Sequence, residues 1–131
     1  MRLTLATASL CLVIGGACQA QEPVLQTVPE PWLGEWNADR SACGTFTDDS
    51  QLTLSAERIE FWASVGLIRG AFTNGPLEIL IVADHSGEGE TWLGTSHFRM
   101  AESGDSIAMD IGDGSPPFIR YRCPERPGSN K

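Results

Sequence analysis

The strongest constraint on this chain is the rhythm of its apolar residues. From Leu33 onward they come in short alternating runs, each closed by a turn cluster, and no stretch sustains a helical period. The predicted strands are Leu33–Ala38, Gln51–Ser55, Arg58–Trp62, Leu67–Phe72, Leu77–Ala83, Thr91–Met100, Ser106–Ile111 and Phe118–Cys123. Asn74-Gly75, followed by Pro76, is a strong tight-turn signal. Short strands recurring at about ten-residue spacing favour an antiparallel meander, and about eight of them can close, which removes exposed edges. The expected fold is all-β: a small antiparallel up-and-down barrel of about eight short strands. A β-sandwich is the alternative.

The ends of the chain read differently. Met1-Arg2, an uncharged apolar run with Leu10 to Ile14 as its densest part, and small residues up to Ala20 form the pattern of a cleavable signal peptide over 1–20. The run is too short and too rich in Gly, Ser and Thr to span a bilayer. A lipid anchor at Cys18 is the alternative: Gly16 and Ala17 fit that pattern, whereas Gly15 stands where Leu is preferred. Residues 21–31, with Pro23, Pro29 and Pro31, form an extended lead-in; 32–124 form a single β domain and 125–131 a polar tail. The expected location is periplasmic or secreted.

Removal of the signal changes the cysteine arithmetic. Cys11 and Cys18 leave with it, and Cys43 and Cys123 remain. An even pair in an oxidising compartment is expected to bond. They lack the C-x-x-C spacing of a redox pair. Cys43 follows the first strand and Cys123 ends the last, and in a closed up-and-down barrel those strands are neighbours, so the bond fits closure.

The chain carries 17 acidic residues against 9 Lys and Arg, a net charge of −8. Its single Lys is Lys131. Such a surface cannot neutralise phosphates, so nucleic acid is excluded as a partner class, while a basic protein would be attracted. No second segment is long and apolar enough to span a membrane.

Gly34-Glu35-Trp36 on the first strand, with Arg120 and Arg122 on the last, resembles the calycin arrangement of lipocalins, avidins and fatty-acid-binding proteins. The resemblance implies that Trp36 plugs one barrel end and that an arginine covers the indole through a cation–π contact. Either Arg120 or Arg122 takes that role, with only one of them inward. The size also resembles small periplasmic inhibitors of lysozyme or of metalloproteases, themselves compact eight-stranded barrels. The Ser-Gly-x-x-Tyr loop of one lysozyme-inhibitor class has no counterpart, since Asp105-Ser106-Ile107 follows Ser103-Gly104.

Candidate chemistry is sparse. Asp84-His85-Ser86 spells a triad, but adjacent side chains cannot align nucleophile, base and orienter, and Gly87 beside them makes a hairpin turn the expectation. His85 and His97 are expected at the surface and sit at no zinc-chelating spacing. The acidic stretches 84–90 and 110–113 match no calcium loop. No catalytic residue, metal or cofactor is therefore expected. Four tryptophans are more informative. Trp36 and Trp92 are assigned to the core. Trp62 points outward from the third strand and is a candidate partner-binding anchor; Trp32 is a second candidate, with core packing the favoured alternative. Ile107, Met109 and Ile111 are expected inward.

These features favour a non-enzymatic, exported barrel that binds a protein partner, such as an inhibitor of a secreted hydrolase. The alternatives are a carrier of a small apolar ligand, a hydrolase using His85 or His97, and a structural or accessory protein.

Overall fold

A computed structural model describes residues 27–127. The stretch expected to be a signal peptide, with Cys11 and Cys18, most of the expected lead-in and the last four residues of the chain lie outside the described residues. The fold is a closed antiparallel barrel in which each strand pairs with the next and the last returns to the first. The strands are β1 Gly34–Asn37, β2 Leu52–Leu54, β3 Arg58–Phe61, β4 Ser64–Thr73, β5 Glu78–Gly87, β6 Glu90–Met100, β7 Ser106–Met109 and β8 Phe118–Arg122. Two short 3-10 turns, η1 Glu30–Trp32 and η2 Arg40–Ala42, precede β1 and β2.

Strand lengths are unequal. Strands β4, β5 and β6 run for 10, 10 and 11 residues, and the others for 3 to 5. The long trio therefore overruns its neighbours at opposite ends: β4 runs past β3 toward Thr73, and β6 runs past β7 toward Glu90. Its middle strand explains an error of sequence reading: Asp84-His85-Ser86 is not a turn but the continuation of β5, paired with both β4 and β6. The turn falls at Glu88-Gly89, where both residues have positive φ.

Closure is the weakest seam. Strands β1 and β8 pair only through Trp36↔Arg122 and Asn37↔Tyr121. The Cys43–Cys123 disulfide, across 80 residues of sequence, straps this seam from outside. The Arg40 guanidinium lies 4.6 Å from the Tyr121 ring, and the Gly44 N–H donates to Glu35 Oε1 at 2.8 Å. The loop after β1 thus folds back over the β1–β8 junction and is bonded to it.

One barrel end is sealed. Trp36 is fully buried and donates its indole N–H to the Trp32 carbonyl at 3.1 Å. The Arg122 guanidinium stacks 4.1 Å from the Trp36 ring and donates to the carbonyls of Leu33, Pro31 and Gly104. Those bonds tie η1 and the β6–β7 turn across the barrel floor. Trp32 is 2% exposed, so core packing wins and it is no surface anchor. Above this floor the axis is filled by Leu52, Leu54, Ile59, Ile79, Ile81, Phe98 and Ile107, none with appreciable accessible surface. A water-sized void would give its lining accessible surface, so this half of the interior is packed.

Candidate functional site

The opposite end is open and chemically different. It is framed by the loop after β1, the Trp62-Ala63 turn, the Glu88-Gly89 turn and the loop between β7 and β8. Just inside it, side chains form a continuous stack. Trp92 lies parallel to His85 with centroids 5.5 Å apart, and His85 is 6.0 Å from Phe61. Arg120 then sits 5.8 Å from Phe61 and 4.5 Å from Phe118.

Alternation explains the inward placement. Arg120 and Arg122 are two residues apart on one strand and so share a face. Both point into the barrel, which corrects the expectation that only one would. Arg122 serves the sealed floor, while Arg120, 5% exposed, reaches the upper interior. Its Nε donates to the Ser50 carbonyl at 2.5 Å. Burial pushes the Arg120 guanidinium down to about 10, partly offset by the field of Asp48, so it stays charged at neutral pH.

His85 was expected at the surface and is instead 5% exposed. Its ring fits because small residues flank it. A Cβ on Gly66 would lie 2.9 Å from His85 Cε1, and one on Gly94 would lie 2.9 Å from Cδ2. Desolvation holds the imidazole below its usual pKa despite the opposing charge of Asp84, and Nδ1 is buried with no hydrogen-bond partner among the described residues. A lone neutral imidazole with no nucleophile bonded to it has no triad geometry. His97 lies on the outer wall, half-buried, with Nε2 2.6 Å from Glu78 Oε1. That hydrogen bond, with a second from Asn74, holds the Glu78 carboxyl below its ordinary value. The two histidines face opposite sides of the wall and share no site. Among the described residues no group of three His, Cys, Asp or Glu is placed to hold a metal ion.

The rim collects exposed apolar surface. Trp62 is 61% exposed, on the β3–β4 turn rather than within a strand, and Leu93 is 68% exposed. Trp92 has the inward parity expected of it but is 44% exposed, because β6 there rises beyond the barrel wall; it does not belong to the buried core. Ile111 likewise falls past the end of β7 and is exposed. On the outer faces of β4, β5 and β6 a groove of about 800 Å³ is lined by Leu67, Arg69, Asp84, Leu93 and their neighbours, with Arg69 bonded to Asp84.

The rim is also acidic. Asp48, Asp49, Glu88, Glu90, Asp110 and Asp113 lie on its loops or at their edges. Asp48 is held below the ordinary carboxylate range by hydrogen bonds from the Ser50 backbone and side chain, and Asp113 by those from Ser115. Of these features the sequence flagged Trp62 and the acidic stretches. It missed His85, although two glycines on the strands either side were a signal.

The architecture defines a class: a closed eight-stranded antiparallel barrel consistent with a calycin-like fold, with a tryptophan-and-arginine plug at one end. Within that class, no family model, curated protein or solved structure matches the chain.

Proposed function

We propose that this protein is an exported, non-enzymatic barrel of the small periplasmic-inhibitor type, and that it holds a basic protein partner against its open rim. The observation that carries this reading is the meeting of exposed Trp62, Trp92 and Leu93 with the six rim carboxylates, opposite a sealed end. Exposed aromatics supply anchor area at low entropic cost. Fixed carboxylates around them steer a basic partner and set its orientation. A basic secreted hydrolase fits that chemistry. The Cys43–Cys123 bond fits an oxidising compartment, and no described helix is long and apolar enough to cross a membrane. A carrier of an apolar ligand would need an interior cavity, whereas the lower axis is packed and the upper interior holds a charged guanidinium.

The test is a titration against a panel of basic secreted hydrolases, beginning with a lysozyme and a metalloprotease, read by calorimetry and residual activity. At least one should bind, with affinity falling as salt rises and dropping at least about tenfold in Trp62→Ala. Absence of binding across the panel, or binding indifferent to both changes, would remove the proposal.

A further inference from the structure

Closure removes most sheet edges, but among the described residues two strand segments keep a neighbour on one side only: the end of β4 beyond Ile68, and the start of β6. Strand β6 pairs with β5 along its whole length, yet β7 reaches it only from Phe98, with one further bond from the Asp110 N–H to the His97 carbonyl. Glu90 to Ser96 therefore has a neighbour on one side only among the described residues. Antiparallel pairing alternates the side to which backbone groups point. The Met100 N–H bonds toward β5, at the Leu77 carbonyl, whereas the His97 carbonyl bonds toward β7. Even-numbered residues of β6 thus serve β5, and Thr91, Leu93 and Thr95 present free N–H and C=O groups along the open edge.

Natural sheets blunt such an edge with Lys, Pro or a bulge. This edge has none of them: it reads Glu90-Thr91-Trp92-Leu93-Gly94-Thr95-Ser96, and its register with β5 is unbroken. It is also self-complementary. An antiparallel copy centred on Leu93 sets Leu93 against Leu93, Thr91 against Thr95, and Trp92 against Gly94. The first two kinds are hydrogen-bonded pairs, and they use the free groups that the edge presents. The Trp–Gly pair falls at the non-hydrogen-bonded position.

Charge favours the same occupant. From Thr91 to Ser96 the edge is uncharged, so a basic partner gains nothing there. In the two-fold register each Glu90 faces Ser96 of the second copy. The two Glu90 residues stand about 20 Å apart along the strands, well beyond the screening length at physiological salt.

We infer that the Glu90–Ser96 edge of β6 is a self-association surface that pairs with a second copy of this chain about a two-fold axis at Leu93. The pairing joins the β4–β5–β6 sheets of both copies into one continuous sheet with about six new backbone hydrogen bonds. The interface is narrower than that of an obligate dimer, so the association is concentration-dependent. It shares Trp92 and Leu93 with the rim assigned to the basic partner, so the two associations compete, and it is tested on the protein alone.

Sedimentation equilibrium of the purified protein, from low micromolar to millimolar concentration, tests it. A monomer–dimer equilibrium is expected, weakened at least about tenfold in Leu93→Lys, which sets like charges directly opposite, with an unchanged melting temperature. Leu93→Cys should form an intermolecular disulfide at the axis under mild oxidation. Leu67→Cys, also well exposed but away from the edge, should not. A monomer at every concentration, a dimer indifferent to Leu93→Lys, or cross-linking equal at both cysteines would overturn the inference. So would slow amide exchange at Thr91, Leu93 and Thr95 in the dilute monomer, because a segment of the same chain would then cover the edge.

Discussion

Trp36 and Trp92 both point toward the barrel interior, yet one is fully buried and the other is 44% exposed. Trp36 has its indole N–H satisfied, an arginine over its face and strands on both sides. Trp92 stacks on a neutral histidine and stands on a strand whose outer neighbour has ended. The same residue type is therefore used for closure at one end and left available for contact at the other. The contrast extends to the two arginines of β8. Arg122 spends its donors on three carbonyls of the floor, while Arg120 holds the upper interior beneath an acidic, aromatic rim.

If the sealed end and its seam carry stability, the largest effects belong there. Replacing both Cys43 and Cys123 by Ala should cost about 4–5 kcal/mol in the chain-entropy picture of an 80-residue loop, read from urea unfolding. Trp36→Ala should cost about 3–5 kcal/mol. Trp92→Ala, on the same interior face, should cost only about 1 kcal/mol, mainly its stack on His85. Equal losses for the two tryptophans would erase the distinction between the ends.

The sequence made the barrel legible because each strand alternates and because the cysteine pair makes sense only if the first and last strands meet. Strand length was not legible. Asp84-His85-Ser86-Gly87 has turn chemistry, and only pairing with β4 and β6 on both sides holds it extended. Trp92 had the right parity, but burial depends on whether β7 reaches it, which the local pattern does not encode. Trp62 is exposed as expected, but because it stands on the turn after β3 rather than on the outer face of that strand. His85 was hidden because its pocket is made by absent side chains, Gly66 and Gly94, on neighbouring strands.

That pocket gives a finer test of the upper interior. Gly94→Ala drives a methyl toward His85 and should cost about 1–3 kcal/mol, most of it recovered when His85→Ala is added. The pH dependence follows from His85 as well. Burial holds its folded pKa below that of an ordinary histidine, so the unfolded chain binds the proton more readily. The contribution is fully present above about pH 6.5 and is lost as pH falls toward the folded value. His85→Leu should remove that slope in thermal melts, leaving the later loss from Glu78 at lower pH, where its own folded carboxyl titrates. The smallest stability effect belongs to Trp62→Ala, within about 0.5 kcal/mol, because the ring is already mostly in water.

The division between a structural floor and a binding rim is tested most directly by hydrogen exchange of the protein with and without a hydrolase that it binds in the panel. New protection is expected at the Trp62-Ala63 turn, at residues 88–93 and in the loop 110–117, with none at η1 or the turn 101–105. Protection confined to the sealed end, or spread equally over both, would contradict the account.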